Sequence, residues 1–209
     1  MPTLFQWLLR IASGLIGLIV LGAVVVYYLA SRSLPDYDKT LRVADISAPV
    51  EVVRDNANVP HIFAAPDAPD TDVYFGLGYA HAQDRLWQMT MLRRTVQGRL
   101  SELFGERTVS IDSLVRRLDL YALSVKSVEV QTPETRAALS AYAAGVNSRL
   151  AEINIDALGR GAPEMFVFNA PIAPWQPADS IAIIKLMALQ LSSHLEEEVL
   201  RARTSLILP

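Results

Sequence analysis

One stretch near the start limits what this chain can be. From Ile11 to Ala30 there is no charged residue, and only Ser13 is clearly polar. About 20 such residues in a helix rise roughly 30 Å, the thickness of a bilayer's hydrocarbon core. Arg10 and Arg32 bracket the run, Trp7 precedes it, and Tyr27 and Tyr28 close it, where amphipathic rings suit the water boundary. A cleaved signal peptide is the alternative. Its cut needs small residues at two nearby positions; Leu29-Ala30-Ser31 supplies one, but Tyr28 is bulky where the other should be, and the run is longer than a signal core. The expected organisation is a short tail at 1–10, one transmembrane helix at 11–30 and a polar linker at 31–48. The terminal amine and Arg10 favour a cytoplasmic N-terminus, with Arg32 and Lys39 opposing them. The remainder is therefore expected on the periplasmic or extracytoplasmic side of a single-pass membrane protein.

From residue 49 onward the pattern changes. Val50 to Arg54 and Val59 to Ala64 are short β-prone runs, and Asp55-Asn56-Ala57-Asn58 between them is turn chemistry, so a hairpin is expected. Pro60 donates no ladder hydrogen bond and needs a free edge. After the Pro/Asp loop at 66–72, Leu86, Met89, Leu92, Val96, Leu100 and Leu103 recur at three and four residues, which predicts one apolar helical stripe stopped by Gly105. Residues 112–130 form a weaker mixed segment. Thr132-Pro133-Glu134 is a helix start, with Leu139, Tyr142, Val146 and Leu150 on its apolar face. Residues 159–177 are rich in Gly and Pro and predict loop. A last helix is expected from Pro177, lined by Ile181, Ile184, Met187, Leu191 and Leu195.

Composition removes several classes of function. A net charge of −3 gives no basic excess to suggest a nucleic-acid partner, and the absence of cysteine excludes disulfides, thiolate catalysis and Cys-based zinc sites. His61, His81 and His194 have no zinc-helix spacing, and no P-loop, GxGxxG or Gly-x-Ser-x-Gly elbow occurs. Two clusters carry the remaining polar chemistry. In AHAQDRLWQM at 80–89, His81 could pair one turn on with Asp84 or Arg85 on a solvated face, or the group could form a buried network with Arg93 and Arg94. In Glu196-Glu197-Glu198, Glu197 and Arg201 are spaced for a surface ion pair, and a carboxylate for a hard cation is the sharper reading.

Four blocks in one order resemble the penicillin acylase family: VEVVRDNANVPHIFA at 50–64; YFGLGYAHAQDRLWQM at 74–89 followed by Arg93-Arg94 and GRLSELFG at 98–105; AYAAGVN at 141–147; and APWQPAD at 173–179. The resemblance runs from about Val50 to Val199. It implies a mainly α chain with a short N-terminal β-hairpin, the α-chain part of an αββα N-terminal-nucleophile hydrolase. Such precursors cut themselves into a small α chain and a large β chain, and the new terminal serine of the β chain attacks an amide with its own amine as base. The family's substrates include β-lactam side-chain amides and N-acyl homoserine lactones. That serine is usually followed by asparagine, and no Ser-Asn pair occurs here, so no catalytic residue is assigned in this chain and residues 49–209 are expected to stop short of the β chain. By position from Trp175, the resemblance implies pocket-lining roles for Met187, Gln190, Leu191 and Ser192, and a Ca2+ ligand at Glu198, or at Glu197 if the count shifts by one. The expected partners are the β chain, a membrane and a small acyl amide. The competing class is a membrane-tethered helical binding protein without catalysis.

Overall fold

The computed structural model describes every residue except Met1, Ala157, Asn169, Ala170, Ser193 and Pro209. Its first helix, α1 (Pro2–Ser33), runs through the apolar stretch and includes the nine residues Pro2–Arg10 before it, with large side chains from Leu4 to Tyr28 exposed. It is the one helix among the described residues long and apolar enough to cross a membrane. Residues 34–49 then run without regular structure to the hairpin.

Strands β1 (Val50–Arg54) and β2 (Pro60–Ala64) form a two-stranded antiparallel sheet in which Val50 pairs with Ala64 and Arg54 with Pro60. Asp55 builds the turn: its Oδ1 accepts the amides of Ala57 and Val59, both at 2.9 Å, and Asn58 takes the left-handed conformation at φ 61°. A lone hairpin is marginal in water. This one lies on helix α2 (Asp70–Val96), where Gly76 admits Val50 and Ile62; a Cβ there would meet their methyls at 2.8 and 3.0 Å.

The core is the crossing of α2 with α6 (Pro133–Asp156), which buries Ala82, Leu86 and Met89 against Ala143, Val146, Leu150 and Ile153. Two glycines let the backbones touch. A Cβ on Gly78 would fall 2.1 Å from the Tyr142 carbonyl oxygen, and one on Gly145 would fall 2.0 Å from that of Phe75. The start of α6 follows its sequence, with Thr132 Oγ1 accepting the Thr135 amide at 3.3 Å. Its buried face keeps Val146 and Leu150, while Leu139 and Tyr142 are half-buried.

Several segments depart from the sequence reading. The apolar stripe of 86–103 is split: α2 ends at Val96, Gly98 turns the chain at φ 63°, and Leu103 belongs to a short helix, α3 (Ser101–Phe104). Asp112 fixes that corner by accepting the Leu100 amide at 3.0 Å and the Ser101 amide and hydroxyl at 2.8 and 2.6 Å. The mixed segment resolves into α4 (Val109–Leu118) and α5 (Leu120–Glu129), joined through Asp119 at φ 52°. The 159–177 loop contains a single helical turn, α7 (Glu164–Val167). The last predicted helix is two: α8 (Pro177–Leu191) and α9 (Leu195–Ile207). On α8 the buried side is Ala178, Asp179, Ala182 and Leu186, whereas Ile184, Met187 and Leu191 of the predicted stripe face outward. Periodicity locates an apolar face but not what covers it, and here the described residues cover the small-residue side.

Candidate functional site

The element that carries the predicted pocket residues Met187, Gln190 and Leu191, α8, is seated by a buried polar node. Asp179 at its first turn closes a capping box by accepting the Gln176 amide at 2.8 Å. The same carboxylate accepts from the Tyr121 hydroxyl at 2.9 Å and from Arg93 Nη1 at 3.4 Å. Arg93 also donates to the carbonyls of Ala173 and Pro174 at 3.0 and 3.2 Å, and its guanidinium lies 5.2 Å from the Trp175 ring centre. Asn147 holds the strand of chain leading into α8: its amide donates to the Trp175 carbonyl at 3.0 Å and its oxygen accepts the Trp175 amide at 2.6 Å. Both charges of the pair are almost wholly buried, which is tolerable because they are paired and each makes further hydrogen bonds. Burial pushes the Tyr121 hydroxyl above its ordinary pKa, and the Asp179 charge adds to this.

The AHAQDRLWQM cluster is likewise a set of links between elements rather than the local pair expected at His81. His81 Nδ1 shares a 2.9 Å hydrogen bond with the Tyr142 hydroxyl on α6, and the rings meet edge-on. Desolvation lowers the His81 pKa, opposed by the Asp84 charge, and pushes Tyr142 up to about 12. Asp84 turns the other way and accepts from both terminal guanidinium nitrogens of Arg54, Nη1 at 2.9 and Nη2 at 2.8 Å, locking the hairpin to α2. Arg93 belongs to the α8 node, and Arg94 donates to Glu102 at 2.8 Å. None of these groups is a nucleophile beside a base; among the described residues no serine hydroxyl is hydrogen-bonded to a histidine.

A mostly apolar groove of about 980 Å3 opens between α2, α6 and α8, with Tyr74, Leu77, His81, Met89, Tyr142, Ile183 and Ile184 in its walls. Met187, Gln190 and Leu191 lie outside it on the exposed C-terminal end of α8, and Ser192 follows them as its C-cap. Glu198 stands in the first turn of α9, exposed, and its carboxylate receives Arg201. The pairing expected between Glu197 and Arg201 is therefore replaced: Arg201 binds Glu198 three residues back, and Glu197 meets His194 Nδ1 at 3.0 Å. No group of three or more potential metal-binding side chains occurs among the described residues.

The penicillin amidase family model matches residues 49–207. The chain belongs to the penicillin amidase family. Within it, the chain is 38% identical over 164 residues to the penicillin acylase 2 proenzyme of a Pseudomonas species, covering 77% of this chain and 20% of that protein. It is 30% identical over 154 residues to penicillin G acylase of Escherichia coli, covering 72% and 18%. It is 32% identical over 162 residues to the acyl-homoserine lactone acylase QuiP of Pseudomonas syringae pv. tomato, covering 77% and 19%. The fold matches a thermostable penicillin G acylase from Alcaligenes faecalis with a TM-score of 0.65 and 31% identity, covering 77% of this chain and 83% of the matched chain. This penicillin amidase family chain thus spans about a fifth of the length of the curated relatives it matches.

The blocks that carried the resemblance gain physical reasons. The glycines of YFGLGY and AYAAGVN are the points of backbone contact between α2 and α6. The asparagine of AYAAGVN holds the tryptophan of APWQPAD, and the aspartate of that block holds Arg93. Local sequence signals neither the Asn147 bridge nor the Asp179 node, apart from a polar residue closing an otherwise apolar helical turn at 147.

Proposed function

We propose that this chain is the N-terminal, α-chain part of a membrane-anchored acyl-amide hydrolase. In this reading the nucleophilic serine and oxyanion-hole donors lie in a β chain that closes on the outer side of α8. One observation carries it. The curated relatives are about five times longer than the matched region, yet 83% of the matched chain in the solved acylase is covered, so a separate chain of this size exists in that enzyme. The uncovered row of Ile184, Met187 and Leu191 supports the same reading, because apolar side chains on an otherwise packed helix gain stability only when something covers them.

The role of this chain is then to present. The Arg93–Asp179 node fixes the start of α8, and the helix carries Met187, Gln190, Leu191 and Ser192 toward the acyl group of the substrate. Glu198 supplies one carboxylate oxygen to a Ca2+ shared with the β chain. Ca2+ takes six to eight oxygens, so one glutamate holds it only together with the partner's ligands, and Arg201 must release Glu198 for that. The substrate class is a small acyl amide, either a β-lactam side-chain amide or an N-acyl homoserine lactone. The apolar helix α1 anchors the assembly in a membrane with the globular part on the extracytoplasmic side.

Hydrolysis of a chromogenic phenylacetyl amide and of N-acyl homoserine lactones, measured for this chain alone and for this chain with the β chain, tests the proposal. The chain alone is expected to be inactive and the pair active. Turnover by the chain alone that survives repurification overturns the assignment of the nucleophile to the partner.

A further inference from the structure

The segment after α1 does not leave the globular part as a free tether. Ser33, which closes the helix, is buried and donates to the Ala30 carbonyl at 2.7 Å. Arg32 donates to the Asp156 carbonyl at 2.9 Å, at the C-terminal end of α6. Lys39 reaches the Asp156 carboxylate at 3.1 Å and that of Glu152 at 3.3 Å. The Tyr37 ring then covers the Arg54 guanidinium at 4.1 Å, and the amides of Ser47 and Ala48 end on Asp72 at 3.0 and 2.8 Å. The strap is pinned at both ends, and its first pin holds the end of α1 beside the end of α6.

The end of α6 and Leu158 just beyond it present apolar side chains that are mostly exposed. Ile155 is 80% exposed and Leu158 is 59% exposed, while Leu34, two residues after Arg32, is 65% exposed. Leu158 also takes the left-handed conformation at φ 53°, which disfavours a branched side chain. Ile155 and Leu158 flank the residue that grips the end of an apolar helix, and Tyr27 and Tyr28 lie just before that grip. A bilayer surface is the environment that fits them: the headgroup layer on each side of the hydrocarbon core is about 5–8 Å deep, and large apolar side chains enter it favourably.

We propose that the C-terminal tip of α6, through Ile155 and Leu158 and together with Leu34 two residues after the Arg32 grip, docks into the headgroup layer of the membrane that α1 crosses. The inference rests on reading α1 as membrane-spanning. Its consequence is that the globular part lies on the bilayer in one fixed orientation, with the α6 tip down and the hydrogen bond from Arg32 to the Asp156 carbonyl setting the height.

The absence of cysteine makes the test direct, because one introduced thiol takes a single nitroxide label. The variants are Val20→Cys within α1, Ile155→Cys, Leu158→Cys, and Val130→Cys, which is 81% exposed beyond the opposite end of α6, roughly 36 Å away along a 24-residue helix. The full chain is reconstituted in phosphatidylcholine–phosphatidylglycerol vesicles, and each label's collisions with oxygen and with a water-soluble nickel chelate are compared. Labels at Val20, Ile155 and Leu158 are expected to favour oxygen several-fold, and the label at Val130 to favour nickel. A lipid-embedded label at Val20 with water-exposed labels at Ile155 and Leu158 overturns the docking and leaves the anchor standing. A water-exposed label at Val20 overturns both.

Discussion

The two ends of this chain's packing differ in kind. Where α2 crosses α6, two glycines bring backbone against backbone, and a single added methyl group would overlap a carbonyl oxygen. At the C-terminal end of α8 and along α9, large apolar side chains such as Met187, Leu191 and Leu200 stand in the open, and the ion pairs are surface pairs within one turn. The first region is complete in itself. The second is held at its root by the Arg93–Asp179 node, and its outer side is uncovered among the described residues. A rigid frame with an uncovered face suits the function proposed above, since positioning residues must be fixed before a partner arrives.

Substitutions at the two regions should therefore separate stability from assembly. The largest loss is expected at the root of α8: Asp179→Leu leaves Arg93 buried without its countercharge, which should reduce unfolding free energy by about 3–5 kcal/mol in a urea melt of the detergent-solubilised chain. A melt unchanged within error would mean that the node relaxes into water and that α8 is not rooted there. Next comes the helix crossing. Gly145→Ala places a Cβ 2.0 Å from a backbone oxygen, so the helices must separate, with a destabilisation in the upper part of about 1–3 kcal/mol. Equal stability of Gly145→Ala and wild type would remove the distinction between a closed and an open region.

His81 tests the closed region by pH. Its folded-state pKa lies below the ordinary 6.5, chiefly through desolvation, so the unfolded chain takes up a proton first as pH falls. The contribution is fully present above about pH 6.5, and it is lost as pH falls below that value toward the folded pKa. The wild-type Tm should thus drop between pH 7.5 and 5.5 by more than that of His81→Gln; parallel curves would show that the ring titrates as it does in water. The smallest effects on the chain itself belong to the open face. Leu191→Asp should move its stability by no more than about 0.5 kcal/mol, as an exposed position does, while lowering the yield of active complex with the β chain. Full activity of that complex would place the partner elsewhere. Glu198→Gln should likewise be silent in the isolated chain, because its ion pair with Arg201 is a surface pair, and should abolish calcium-dependent thermal stability of the complex. If Glu197→Gln does so instead, the ligand is one residue earlier.

Local chemistry determined much of this protein without help. The apolar run of α1, the Asp55 turn, the Thr132 cap and the Pro177 start all follow from a few adjacent residues, because turns, caps and hydropathy act over one helical turn or less. The order of four motif blocks was enough to indicate the family. Only the tertiary structure decided which partners the polar residues choose. His81 turns to Tyr142, Asp84 to Arg54 and Arg93 to Asp179, each across more than 25 positions of sequence, because a side chain on a helix meets whatever element the fold lays against it. It also decided which side of α8 is buried. Apolar periodicity favours the Ile184–Met187–Leu191 stripe, but the polar node at Asp179 fixes the rotation of the helix, and that rotation turns Ala182 and Leu186 inward and leaves the larger side chains facing out.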